Sequence, residues 1–356
     1  FIERCKQYAN TSGLQGMITM QGWMFIGAFE KLRRKIKETT EIISLLQLGP
    51  RAFEDITGEV VQTATWIMWC KRNYDGKGIY FDLTQYKGQD VKRDAYIERK
   101  NEFHISLNDI QNIPGIPFAY WAGERMANLF KGEVLKSLAD PRKGIVTMKD
   151  DLFVRLWSEV DINRICFNAR DIADFTARNA TFVPIRGGGG YRKWYGNKFN
   201  VIKWENNGLQ LKNYIKEVSG DHYSRQIFNE DRFFYECISW NSIASKRVCF
   251  RYHEEGALFG SSGPSMFPNE HKNYILAFVN SSVAFSLIKL LKQSQNLGPT
   301  LVGKLPIIIE NEKEISSLSD QCVKLVKKDW DNYEMSWEFK HHPLIGKGLL
   351  ETIFKD

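Results

Sequence analysis

At 356 residues, with 43% hydrophobic and 26% charged residues, the chain is long enough for two domains that each bury a core. A formal net charge of +7 and a pI near 8.9 permit a polyanionic partner. No apolar run approaches the ~20 residues of a membrane helix, so no membrane partner is expected.

The chain opens on Phe1, with no initiator Met and no signal peptide, inside the amphipathic pattern "FIERCKQYAN". The expectation is a piece of a larger polypeptide that begins at the end of a helix. "LQGMITM" (14–20) follows a Ser-Gly turn and reads as a buried strand. "WMFIGAFEKLRRKIKE" (23–38) repeats Phe25, Phe29, Leu32 and Ile36 at helical spacing. "EIISLLQLG" (41–49) and "VVQTATWIMWCKR" (60–72) are two further strands, joined by a polar loop. A crossover helix between the first two strands predicts that they run parallel. The loop of roughly a dozen residues before the third, with no helical pattern, lets it run antiparallel. This order is one part of a doubly wound, Rossmann-like α/β sheet.

From about 73 to 113 the chain is polar and charged and reads as a surface connector. "IPGIPFAYWAGERMANLF" (113–130) gives a turn and a short helix, and less regular α+β structure runs from there to about 310. Within it, "NYILAFVNSSVAFSLIKLLKQ" (273–293) reads as one helix and "LVGKLPIII" (301–309) as a strand. "EKEISSLSDQCVKLVKKDW" (312–330) closes the chain as an amphipathic helix. The expected partition is 1–112, 113–310 and 311–356.

Six scattered cysteines without a CxxC pair read as reduced thiols of a cytoplasmic protein, with no structural metal. Adjacent His341 and His342 lack ligand spacing, and Asp150 and Asp151 read as solvated loop carboxylates. Ser261, Ser262 and Ser265 lack the Gly-x-Ser-x-Gly elbow of a hydrolase.

The most informative stretch is "FVPIRGGGGYRKWYGNKFNVIKW" (182–204). Phosphate-binding and dinucleotide loops place spaced glycines between a strand and a helix. Here the glycines are contiguous, and an aromatic-basic run follows them. From Phe175 to Trp204 there are six basic residues, Arg178, Arg186, Arg192, Lys193, Lys198 and Lys203, and no Asp or Glu. Aromatic side chains, Tyr191 and Trp194 among them, are interleaved with this charge. Glycine lets a backbone approach phosphate, cations add salt-sensitive affinity and planar rings pack on sugars or bases. The bland alternative is a solvated basic hairpin; the acid-free span favours DNA.

"FIERC…GLQGMITMQGWMFIGAFEKLRRKI…IISLLQLGPRAFEDITGEVVQTATWIM" resembles adenine-specific DNA methyltransferases, and among them the large methyltransferases of BREX phage-defence systems. "IPGIPFAYW", "RKWYGNKFNVIKWENNG", "ISWNSIASKRVCFRY" and "DWDNYEMSWEF" extend the resemblance over nearly the whole chain. It implies a methyltransferase sheet ending in an antiparallel hairpin, followed by a target recognition domain similar to that of TaqI-type enzymes. It also implies S-adenosylmethionine as methyl donor for the full-length enzyme, double-stranded DNA as partner, and other BREX proteins as further partners. The family's Asn-Pro-Pro-Tyr motif has no counterpart here, since no Asn-Pro-Pro occurs, so this chain is expected to be inactive alone. Phe53, in "GPRAFEDITGEVVQTA", matches the position that stacks on a flipped adenine. Arg186, Tyr191, Arg192, Lys193, Trp194 and Lys198 are the expected DNA contacts, with Arg142 and Lys143 as second choices. The alternative is a non-catalytic DNA-binding module that recruits partner proteins.

Overall fold

The computed structural model describes residues 1–53, 61–72, 76–220, 222–243, 247–291 and 296–345. The chain divides into two compact units, Phe1–Glu133 with Lys289–Gln293, and Val134–Ile288 with Ser294–Asp356.

In the first unit β1 (Leu14–Met20), β2 (Glu41–Gly49), β3 (Thr63–Trp69), β4 (Gly78–Asp82) and β5 (Glu102–Ile105) form one sheet in the order β1-β3-β2-β4-β5. Because β3 is antiparallel to both neighbours, β1 and β2 run the same way without touching. The expected directions hold, and β3 is inserted between the pair. Side chains alternate across the pleat, so Ile42, Leu45, Ala64, Trp66 and Met68 are buried on one face with Trp23 and Met24. Leu14, Ile18, Met20 and Ile67 remain exposed.

Two expectations change here. The single helix over 23–38 is two short 3₁₀ turns, Gln21–Met24 and Gly27–Phe29, and then the α-helix Glu30–Thr39. Arg33, fully buried, explains the break: it donates to the carbonyls of Trp23 at 2.9 Å and Ile26 at 2.7 Å, which a continuous helix would keep for its own amides. The expected connector over 73–113 contains β4, the helix Gln89–Ile97 and β5. β4 pairs in parallel with β2, and Tyr80 and Phe81 are buried. The charge of "QDVKRDAYI" concealed a helix that buries only Ala95 and Lys92.

The second unit holds two sheets. One is β11 (Leu258–Phe259), β7 (Phe182–Arg186), β8 (Asn200–Lys203) and β6 (Val154–Leu156). The other is β10 (Phe250–His253), β9 (Cys237–Trp240) and β12 (Ser265–Met266). Phe175, Val183, Ile202, Trp204, Leu211, Phe233 and Phe259 form the core beneath the first sheet. The expected helix over 273–293 is broken by 69° into Lys272–Asn280 and Ser282–Leu291. Ser281 is extended and its hydroxyl caps the Ala284 amide at 3.1 Å, which starts a new helix. The expected strand over 301–309 is absent; Pro299 begins a short helix to Val302, and only Pro306 makes an isolated bridge, with Val134. Among the described residues no single helix is long and apolar enough to cross a membrane.

Candidate nucleic-acid interface

β7 and β8 are antiparallel, Phe182 opposite Lys203, and residues 187–199 connect them. The glycine run is therefore the start of a strand-to-strand loop, which settles its topology: it does not lead from a strand into a helix. The loop then crosses β10, where the Trp194 amide donates to the Phe250 carbonyl at 2.9 Å and the Trp194 carbonyl accepts from Tyr252 at 2.8 Å. To make both bonds Trp194 adopts φ +73°. The segment is anchored rather than a free-standing hairpin.

The basic side chains of this loop are largely engaged inside the unit. Arg186 is only 4% exposed and donates to Cys237 Sγ at 3.2 Å and to the Glu254 carbonyl at 2.5 Å. Lys198 pairs with Glu254 and with the Tyr195 hydroxyl. Arg192 meets Asp329 at 2.9 Å and lies over the rings of Trp330 and Tyr333. Lys193 donates to the Asn280 carbonyl at 2.7 Å. Arg178 is held by Asp174 at 2.9 Å. The acids missing from 175–204 are thus supplied by residues distant in sequence and by one residue just before the span. The acid-free span therefore does not display its six cations freely, since five of them are engaged in this way.

What stays exposed is Tyr191, at 52%, with the guanidinium of Arg247 5.7 Å from its ring centre. Arg142 and Lys143 are also exposed. Arg142 contacts Asp140 at 2.8 Å and Asn229 at 3.3 Å, and Lys143 lies 5.0 Å over the Phe228 ring.

Beside the loop is a cleft of about 570 Å³, whose walls include Arg186, Tyr195, Lys198, Glu254, Lys327 and Trp337. Glu254 sits between two ammonium groups, with Lys327 at 2.7 Å. Burial alone would raise its carboxyl, but Lys198 and Lys327 outweigh burial and hold it at about 2. Burial drives Lys198 the other way, down to about 8, against the pull of Glu254. His253 is buried, kept neutral first by desolvation and then by the nearby cations Arg186, Lys198 and Arg251, and meets Ser239 Oγ at 2.8 Å. No cluster of metal-ligating side chains is found among the described residues.

No family model matches the chain. The adenine-specific methyltransferase PglX of Lacticaseibacillus casei (strain Zhang) is 32% identical over 355 residues, covering 97% of this chain. BrxX of Escherichia coli O9:H4 (strain HS), also an adenine-specific methyltransferase, is 32% identical over 354 residues and 97% of this chain. Over nearly its whole length the chain is similar to these two adenine-specific methyltransferases. It spans 29% and 28% of their respective lengths. The solved structure of the Type IIL restriction-modification enzyme MmeI in complex with DNA aligns with a TM-score of 0.54 at 11% identity. That alignment covers 94% of this chain and 45% of MmeI, and it speaks to the fold.

Phe53, on the loop after β2, is 41% exposed. Residues 54–60 of the motif that singled it out lie outside the described residues. Sequence reasoning passed over Arg251, Asn241 and Glu254. Arg251 is fully buried and bonds the carbonyls of Gly188 and Arg192, both at 3.3 Å, and Asn241 Oδ1 at 2.6 Å. One signal was available: an arginine within "CFRYH", a short apolar strand pattern where a charge needs a reason.

Proposed function

We propose that the protein to which this chain belongs transfers a methyl group from S-adenosylmethionine to the exocyclic amine of adenine in duplex DNA, as part of phage defence. In this reading the part that holds the DNA target lies within residues 113–310. The observation that carries it is the 32% identity, over 97% of the chain, to two adenine-specific methyltransferases.

The residues of this chain do not fit a methyl-donor site. Its glycine run joins two antiparallel strands, and it contains no Asn-Pro-Pro. It contributes no chemical step, and the chain by itself is inactive in this reading. Its contribution is to hold DNA. Arg142, Lys143 and Tyr191, all exposed, make the outer contacts. Arg192, Lys193 and Trp194 are engaged along the loop's inner side, while Arg186 and Lys198 line the cleft and hold its shape. Phe53 offers an exposed ring to an extruded adenine.

The test is to map N6-methyladenine in cells with and without the intact gene, and to measure DNA binding by the intact protein over a range of salt. Loss of methylation at one sequence motif is the expected result. Unchanged methylation alongside retained DNA binding would replace the enzyme reading with that of a recruiting module. Replacing Arg142 or Lys143 by Ala should reduce the salt slope by about one unit each.

A further inference from the structure

The glycine run has its carbonyls tied down from one side. Arg251 Nη2 donates to the Gly188 carbonyl at 3.3 Å, and Asn241 Nδ2 donates to the Gly189 carbonyl at 2.5 Å. Asn241 is itself fixed by Arg251 through its Oδ1 at 2.6 Å. The Gly190 carbonyl accepts from Asn197 Nδ2 at 2.8 Å. In a trans peptide the carbonyl of one residue and the N–H of the next point in opposite directions, and no cis bond occurs among the described residues. The N–H groups of Gly189 and Gly190 therefore face away from Arg251 and Asn241, and that of Tyr191 faces away from Asn197. None of these three amides has a hydrogen-bond partner among the described residues. All three residues are exposed.

The composition of the loop follows from this arrangement. Gly189 lies at φ +104°, and a Cβ there would come within 2.9 Å of Asn197 Nδ2. A Cβ on Gly188 would meet the Ser262 carbonyl at 3.1 Å. Gly190 has open space around it.

Directly behind the loop is a buried charge without a counter-ion. Arg251 is fully buried, and its partners are Cys249 Sγ, two carbonyls and Asn241; no carboxylate pairs with it among the described residues. A buried cation without an acid is costly unless an anion lies near it, and successive outward-facing amides without partners can bind an anion.

We propose that Gly189, Gly190 and Tyr191 form a backbone-amide clamp for a phosphodiester of the bound DNA, with Arg251 and Asn241 as the positioning residues that aim it. This rests on the DNA-binding reading above and adds that the grip is on the backbone, independent of base sequence. The loop's exposed side would then work largely through its main chain, since Arg186, Arg192, Lys193 and Lys198 are engaged inside the unit.

The test uses Gly190 in the intact protein, because side chains fit there. Gly190→Glu should weaken binding about tenfold on specific and unrelated duplexes alike, and reduce the salt slope by about one unit. Gly190→Lys should tighten binding, which separates charge from bulk. If the parent binds DNA and the Glu and Lys variants both match it in affinity and salt slope, the clamp is wrong while the DNA-binding reading survives. If the parent protein does not bind DNA, both fall.

Discussion

Glu254 concentrates the electrostatics of the cleft: one carboxylate holds Lys198 and Lys327, and accepts from the Tyr195 hydroxyl at 3.0 Å. Replacing it with Gln leaves two ammonium groups facing each other. The expected cost is about 2 kcal/mol in chemical denaturation, moderated because the carboxylate is partly exposed. The pH dependence has a definite sign. The Glu254 carboxyl is held at about 2 in the folded protein, below its ordinary 4.5, so its stabilisation is complete above pH 4.5 and disappears as pH falls toward 2. Lys198 behaves oppositely, because its amine falls from 10.5 to about 8 on folding. It therefore costs stability below pH 8, and that cost is relieved as pH rises toward 10.5. Thermal midpoints of the parent and Glu254→Gln should differ most above pH 4.5 and converge near pH 2. A gap that stays constant over that range would remove Glu254 from the ion cluster.

At the scale of elements, single polar side chains decide where chain segments start and stop. Lys92 donates to the carbonyls of Leu48, Leu83 and Tyr86 at 2.6, 2.8 and 2.6 Å, tying the end of β2 to the segment after β4. Lys92→Met fills similar space but strands three acceptors, and should cost roughly 3 kcal/mol in a urea titration. A loss below about 0.5 kcal/mol would mean that water satisfies those carbonyls instead. The same logic marks where sequence reading worked. β1, β2 and β3 were legible because β-branched and aromatic residues crowd short runs bounded by turn residues. The helix Gln89–Ile97 was not, since its only deeply buried cation lies in a pattern of solvated charge. The break at Ser281 was also hidden: both halves carry the same apolar periodicity, and only the serine cap separates them.

For the whole molecule, each unit has its own core, around Trp66 in the first and Phe259 in the second. Trp66→Ala and Phe259→Ala should each cost about 3–5 kcal/mol. In calorimetry each should lower the transition of its own unit. A single transition shifted equally by both changes would mean that the units unfold as one. The sequence by itself determined the directions of the first three strands, the resemblance to adenine-specific methyltransferases and a glycine run whose contiguous spacing departs from that of a nucleotide loop. Those readings depend on local pattern and spacing, which the linear chain carries. Only the tertiary structure decided which cations of 175–204 remain available. Asp329 lies 137 residues from Arg192, and Glu254 lies 56 from Lys198. A charge count along the chain cannot see an acid that folding brings to it from so far away.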